Sequence, residues 1–315
     1  MALSIQSNMA SMSIQNQLGR SNNDLSTALE RLGSGFKINS AKDDAAGLQI
    51  ASRLNAQVRG QDAALYNSNN AMSMMQTAEG AFDEMTNIAY RMKELATQGA
   101  NGTNDAKEYT AINAEFSALE EELASIMENT SFGGTKLLNA EVLAADTVAA
   151  AAGVTAAVGV QDGGKFAVTA APVTFQVGSS TAETLDVGIS AELKSIHTAL
   201  GTTTGLVDAG DKLIRVANLT DQTASNTAVD TVDGLIEKIG SARSALGASM
   251  NRLDHTMNNV TNMKENTQAA ASTLMDADFA AETSNMTKQQ LLMNSGISVL
   301  STANSTTQMI GSLLR

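Results

Sequence analysis

Apolar positions divide the chain into two helical arms, roughly residues 1–130 and 229–315, around a middle of different pattern. In the first arm Ile14, Leu18, Leu25, Ala28 and Leu32 recur at alternating spacings of three and four, with Ser21 as a polar break. That is the narrow seam of a helix laid against one partner. Gly33-Ser34-Gly35 ends it, because two glycines make continued helix costly, and reads as a hinge. Ser40-Ala-Lys-Asp43 reads as a capping signal for a new helix starting near Asp44, with Asp43 and Asp44 at the positive end of its dipole. The second helix runs without proline to about Gln98, and Ala71, Met74, Ala78, Ala81, Met85, Ile88, Met92 and Leu95 hold the same spacing. At 1.5 Å per residue it is roughly 80 Å long. A third helix carries Tyr109, Ile112, Phe116, Leu119, Leu123 and Ile126, with Glu120-Glu121-Glu122 expected on its solvated face.

The second arm repeats the pattern in Val232, Leu235, Ile239, Ala242, Leu246, Leu253, Val260, Met263, Ala270 and Leu274, with Ser249, Thr256 and Thr267 as polar gaps. Its last stretch sets Leu292, Val299 and Leu313 on one heptad position and Gly296, Ala303 and Ile310 on the other. Pairing the first segment with the last, and the second and third with the fourth, buries every seam. The expected fold is mainly α: a folded-back rod of long, coiled-coil-like helices from both chain ends. In the middle, Val173, Phe175 and Val177 alternate before Gly178-Ser-Ser, and Leu185, Val187 and Ile189 supply the returning strand of a β-hairpin. Phe166, Val168 and Ala170 alternate as well, while periodicity leaves 141–160 as either helix or loop.

Composition agrees with long helices. Across 315 residues there is one Pro, no Trp or Cys, 3% aromatics and 16 Met. Without Cys there are no disulfides, thiolate nucleophiles or Cys-based metal sites. A net charge of −13 and the lack of a basic patch argue against nucleic acid. No apolar run is long enough for membrane insertion, and the N-terminus shows no cleavable secretory signal. Catalytic candidates are few. His197 and His255 stand apart from any ligand cluster and read as surface residues, and Gly33-Ser-Gly35 lacks the strand and further glycines of a phosphate loop. Nothing points to an enzyme, a cofactor or a metal. The terminal segments are polar apart from thin seams, so an isolated pair of such helices is marginal in water. They are expected to order when many copies pack together.

Several stretches resemble bacterial flagellin. The first is Ala28-Leu-Glu-Arg-Leu32-Gly-Ser-Gly-Phe-Lys-Ile-Asn-Ser-Ala-Lys-Asp-Asp-Ala-Ala-Gly47. Others are Gln76-Thr-Ala-Glu-Gly80, Arg91-Met-Lys-Glu-Leu95-Ala-Thr-Gln98, Asn101-Gly-Thr-Asn104 and Thr130-Ser-Phe-Gly-Gly-Thr-Lys-Leu-Leu138. Toward the C-terminus the similarity continues through Ala245-Leu-Gly-Ala-Ser-Met-Asn-Arg-Leu253, Asp276-Ala-Asp-Phe-Ala-Ala-Glu282 and Leu313-Leu-Arg315, and more weakly in Thr174-Phe-Gln-Val-Gly178 of the middle.

The resemblance implies a short flagellin. An inner-tube helical domain with its connector would span 1–43 and 274–315. An outer-core helical rod with a β-hairpin would span 44–140 and 172–273, and a short variable insertion 141–171. Inner-tube packing would fall to Ile14, Leu18, Leu25, Leu32, Leu292, Val299, Ile310 and Leu313, and the connector to Gly33, Gly35, Asp43 and Asp44. The implied function is a filament subunit for swimming, exported unfolded by a type III apparatus. Its partners would be further copies of itself, cap and hook–filament junction proteins, and an export chaperone at the C-terminal segment.

Recognition by the vertebrate Toll-like receptor for flagellin is implied at Arg91, Leu95 and Glu115. Met92 and Lys93 depart from the family pattern there, and Lys93 keeps charge but loses the planar fork of an arginine. Two rival readings remain: a hook–filament junction protein, which shares the terminal helices, and a secreted hydrolase on the same scaffold. The hydrolase would need a catalytic constellation within 140–228, where His197 stands with scattered acids.

Overall fold

The computed structural model describes residues 8–139, 164–166, 172–199 and 219–313, and side chains at 198, 307, 308 and 310–313 are not part of that description. Most of the expected insertion 141–171, including Val168 and Ala170, therefore lies outside the described residues, as do the side chains of Ile310 and Leu313. Six helices account for most of the described chain: α1 Met9–Ser34, α2 Ala45–Gly99, α3 Ala106–Asn129, α4 Ser190–Ala199, α5 Gln222–Met275 and α6 Phe279–Leu313. Two antiparallel strand pairs complete it. The pair β1 Ser131–Phe132 and β2 Thr135–Lys136 turns through Gly133 and Gly134, whose φ values of 56° and 82° require glycine-like freedom. The pair β3 Val173–Gln176 and β4 Thr184–Val187 sets Val173 opposite Val187 and Phe175 opposite Leu185. The mainly helical fold and the hairpin follow the pattern read from sequence.

The chain divides into two compact units, Met1–Arg59 with Met263–Arg315, and Gly60–Asn262. Within Gly60–Asn262 one continuous core joins α2, α3, the β3–β4 hairpin, α4 and α5. The α2 seam is wider than the expected single stripe. Beside Ala71, Ala78, Met85 and Met92, a second row of Met75, Phe82, Ala89 and Ala96 is fully buried. The cause is that α2 faces two partners: Arg91 reaches Glu115 of α3, and Glu79 meets Arg243 of α5. On α3 the buried row is Ile112, Phe116, Glu120, Leu123 and Met127. Glu120 is thus not on the solvated face with Glu121 and Glu122. It sits four residues after Phe116 and three before Leu123, on the inward stripe. At the start of α3, Asp105 accepts from the N–H groups of Lys107 and Glu108 while Glu108 accepts from Asp105, a reciprocal cap.

His197 is also not the surface residue expected from sequence. It lies on α4 at 8% exposure, with Nε2 3.3 Å from the Leu138 carbonyl. Burial pushes its pKa below the ordinary 6.5, and the Leu138 carbonyl partly opposes that shift. The unfolded chain therefore takes up a proton as pH falls through 6.5, while the folded one resists until a lower pH. Stability contributed by the neutral imidazole is full above that value and is lost as pH falls below it. Denaturant midpoints taken from neutral pH down to about pH 5 should fall, and His197→Gln should flatten that slope. An equal slope in the variant would remove His197 as its source.

Candidate functional site

In the unit formed by the two chain ends, α1 and α6 pack antiparallel. Asn8 donates from Nδ2 to the Ala303 carbonyl at 3.2 Å, Ser11 Oγ lies 3.1 Å from Asn304 Oδ1, and Arg31 meets Glu282 at 2.9 Å. On α1 the covered face is Ser11, Ile14, Leu18, Ser21, Leu25, Ala28 and Leu32, the seam read from sequence carried one step further back. Its fully buried members are Ser11, Ser21 and Ala28, all small, so the helices approach closely and the flanking aliphatics are only partly covered. Leu18 rests against Gly296, where an added Cβ would come 2.7 Å from Leu18 Cδ2.

On α6 the face toward α1 is Glu282, Met286, Gln289, Met293, Gly296, Leu300 and Ala303. Leu292 and Val299, expected in inner-tube packing, are 44% and 50% exposed in the single chain. They lie one residue before Met293 and Leu300, hence on a flanking face. With Leu291 at 65% and Ile297 at 54%, they leave α6 with apolar surface that α1 does not cover.

The connector is stapled rather than free to hinge. Gly33 lies inside the last turn of α1, and Gly35 is the left-handed cap, at φ 77°, returning its N–H to the Arg31 carbonyl at 2.9 Å. Beyond it Lys37 N donates to the Met275 carbonyl, and Ala277 N donates to the Gly35 carbonyl at 2.9 Å, around an antiparallel bridge of Phe36 with Asp276. Ile38 is 3% exposed and packs on Gly47. Ser40–Asp43 forms a turn rather than the helix cap. Asp43 Oδ2 accepts from Ser40 Oγ at 3.0 Å, Ser40 N at 2.9 Å and Asn39 N at 3.2 Å. The Ser40 hydroxyl, followed by these N–H groups, holds the Asp43 carboxyl below its ordinary range. Asp44 is the residue that caps α2, accepting from Gly47 N at 2.9 Å.

In the other unit the residues singled out for recognition separate. Arg91 forks onto Glu115 through Nε at 3.0 Å and Nη2 at 2.7 Å and reaches Glu94 through Nη1 at 2.8 Å. Its guanidinium pKa is raised, chiefly by the Glu115 hydrogen bond and then by Glu94. All three side chains are about half exposed or more, so the cluster is presented to solvent. Leu95 is 2% exposed and belongs to the core. A partner touches it only by opening the packing between α2 and its neighbours. Of the two departures, Met92 is fully buried and Lys93 pairs with Asp233 of α5.

The residue that sequence reasoning missed is Glu282. It is buried at 9%, and with Arg31 it forms the one ion pair between α1 and α6 among the described residues. Nothing in an apolar count marks a charged residue at a seam position. Its signal was the spacing of seven that joins Glu282 to Gln289, Gly296 and Ala303. Among the described residues no group of His, Asp or Glu could hold a metal ion, and no helix is long and apolar enough to cross a membrane. His255 is exposed on α5.

Residues 5–142 match the family model of the bacterial flagellin N-terminal helical region, and 229–314 that of the C-terminal helical region. Polar flagellin C of Vibrio parahaemolyticus is 43% identical over 204 residues, covering 65% of this chain and 46% of that protein. Flagellin D of Vibrio cholerae is 55% identical over 139 residues, covering 44% and 37%. The matched part thus spans less than half the length of these curated relatives. Among solved structures, a putative flagellar hook-associated protein from Vibrio parahaemolyticus aligns with a TM-score of 0.53 at 16% identity, over 74% of this chain and 99% of that one, a likeness of fold alone.

Proposed function

We propose that this chain, which belongs to the bacterial flagellin family, is a structural subunit that polymerises with its own copies into the extracellular filament of the bacterial flagellum. The observation that carries the reading is α6. One face packs on α1, while Leu291, Leu292, Ile297 and Val299 remain open and apolar. Apolar surface on both flanks of a thin helix pair calls for cover, and a subunit stacked in a contact that does not close on itself supplies it repeatedly, giving a helical polymer. On this reading 1–43 with 274–315 forms the inner tube and 44–140 with 172–273 the outer core. The inner-tube helices gain order as subunits add.

The absence of Cys, and a single Pro, suit export as an unfolded chain by the type III route, with an export chaperone on the C-terminal segment and cap and junction proteins as neighbours. Electron microscopy of purified protein with seeds is the test. Long helical tubes support the filament subunit, and failure to elongate seeds favours the junction-protein reading.

Recognition by the vertebrate Toll-like receptor for flagellin belongs to the same reading, with Arg91 and Glu115 as the touching groups and Leu95 as the packing residue that fixes Arg91's turn of helix. An exposed, preorganised arginine fork resembles the anchors that dominate interfaces. Replacing Arg91 or Glu115 by Ala should lower a receptor reporter response by about tenfold or more, with the circular dichroism spectrum unchanged. Arg252→Ala, exposed on α5, should leave the response intact. Equal responses from all three variants would move the recognition surface elsewhere.

A further inference from the structure

The turn between α2 and α3 holds the single Asn-Gly step of the chain, Asn101-Gly102. Both residues are exposed and lie outside helix. We infer that Asn101 is a self-modification site, whose side-chain amide is lost to attack by the Gly102 backbone nitrogen, leaving aspartate and isoaspartate in this turn. Three features of the turn favour that chemistry. Gly102 has no Cβ to block the approach of its nitrogen to the neighbouring side chain. Its N–H makes no hydrogen bond to any of the described residues, whereas Asn101, Thr103 and Asn104 all use theirs within the turn. Thr103 N lies 3.4 Å from Asn101 Oδ1, placed to stabilise the negative charge that builds on that oxygen as the nitrogen adds.

The step balances without any redox partner. Base removes the Gly102 N–H proton and the nitrogen bonds to Asn101 Cγ. The Cγ–Nδ2 bond then breaks, and ammonia leaves with a proton, giving a cyclic imide. Water opens the ring at Cγ to give aspartate, or at the main-chain carbonyl to give isoaspartate with the backbone routed through Cγ. Other asparagines lack this combination. Asn39, in the connector, is followed by Ser40, whose N–H is held by Asp43 at 2.9 Å, and its own Nδ2 is turned to the Phe36 carbonyl.

The product matters to the turn. A new carboxylate beside the C-terminal end of α2 opposes the helix dipole. Isoaspartate also turns the Asn101 carbonyl, which accepts from Asn104, into a free carboxylate and adds one atom to the backbone after the Asn101 N–H, which donates to the Gln98 carbonyl, both bonds being 3.3 Å. The turn is then weakened in proportion to the age of the molecule. The inference rests on this turn alone and is independent of the filament reading.

The test is to hold the full-length protein in mildly alkaline buffer and follow tryptic peptides by mass spectrometry, separating aspartate from isoaspartate by retention. The peptide Glu94–Lys107 should gain the mass of an amide-to-acid exchange, mostly as isoaspartate, while the peptide bearing Asn39 stays unchanged. Gly102→Ala should slow conversion by about tenfold or more, because a Cβ obstructs the attack. It should keep the circular dichroism spectrum, since the added atom meets only Gln222, at 3.5 Å. Conversion of Asn101 no faster than that of Asn39, or an unchanged rate in Gly102→Ala, overturns the inference.

Discussion

Gly296→Leu should abolish filament growth from seeds while leaving a soluble, helical monomer. An added Cβ at 296 already comes 2.7 Å from Leu18 Cδ2 and 3.2 Å from its Cγ, and a full leucine must push α1 off α6 or leave the seam. Overpacking of this kind costs about 1–3 kcal/mol. That is a large fraction of what a pair of helices whose buried seam positions are Ser11, Ser21 and Ala28 can supply. Removing residues 275–315 altogether should have the same outcome, since α1 then has no partner. The point variant carries a sharper control, because Leu18→Ala in the Gly296→Leu background vacates the space and should restore growth in part. Normal filaments from Gly296→Leu, or from the truncation, would sink the proposal that this helix pair builds the inner wall.

The second large effect is expected in the other unit, at Phe116. This ring on α3 is fully buried, in the same core as Phe82, Met85 and Met92 of α2. Phe116→Ala leaves a cavity that long helices cannot close without moving together, and costs about 3–5 kcal/mol. Against a typical total of about 5–15 kcal/mol, the urea midpoint of the α2–α3–α5 core should fall steeply. Tyr90→Ala, at 54% exposure on α2, should shift the midpoint within about 0.5 kcal/mol of the parent. A Phe116→Ala midpoint as mild as that of Tyr90→Ala would mean the core repacks around the gap.

How far such features could be read from sequence depended on whether each seam was the only one on its helix. The α1 seam was legible because Ile14, Leu18, Leu25 and Leu32 recur on one face while its other large apolar residues, Met9, Met12 and Leu29, form no second row, and the α5 seam from Val232 to Val260 because its buried residues keep one face. On α6 two rows recur every seven residues, Met286, Met293 and Leu300 in one, Leu292 and Val299 in the other, and periodicity alone cannot say which faces α1. The structure selects the first row because its other flank is Glu282, Gln289, Gly296 and Ala303, where a partly buried ion pair and a glycine admit the partner. Those residues are polar or small, so an apolar count passes over them. Glu120 and His197 were misplaced in the same way, as groups whose type predicts water and whose position in the row dictates burial.

The candidate recognition cluster was half legible. A motif can name Arg91, Leu95 and Glu115 together. Only geometry separates the exposed pair from the buried Leu95, because Arg91 and Leu95 lie one turn apart at the edge of the buried face of α2, where a small step round the helix decides exposure. The connector differs for another reason: glycines signal freedom of the backbone, but the hydrogen bonds from Lys37 and Ala277 that remove that freedom come from opposite ends of the sequence.

The link from Asn8 to Ala303 spans 295 positions, and it carries a kinetic consequence. A chain made from its N-terminus produces α1 well before α6, so α1 has no seam to enter until the whole stretch between them has been made. Closing so wide a loop also carries an entropy cost that local helices such as α3 never meet. The terminal pair is therefore the final event of folding and the first to reopen. A motion of that kind parts α1 from α6 and leaves the α2–α3–α5 core intact.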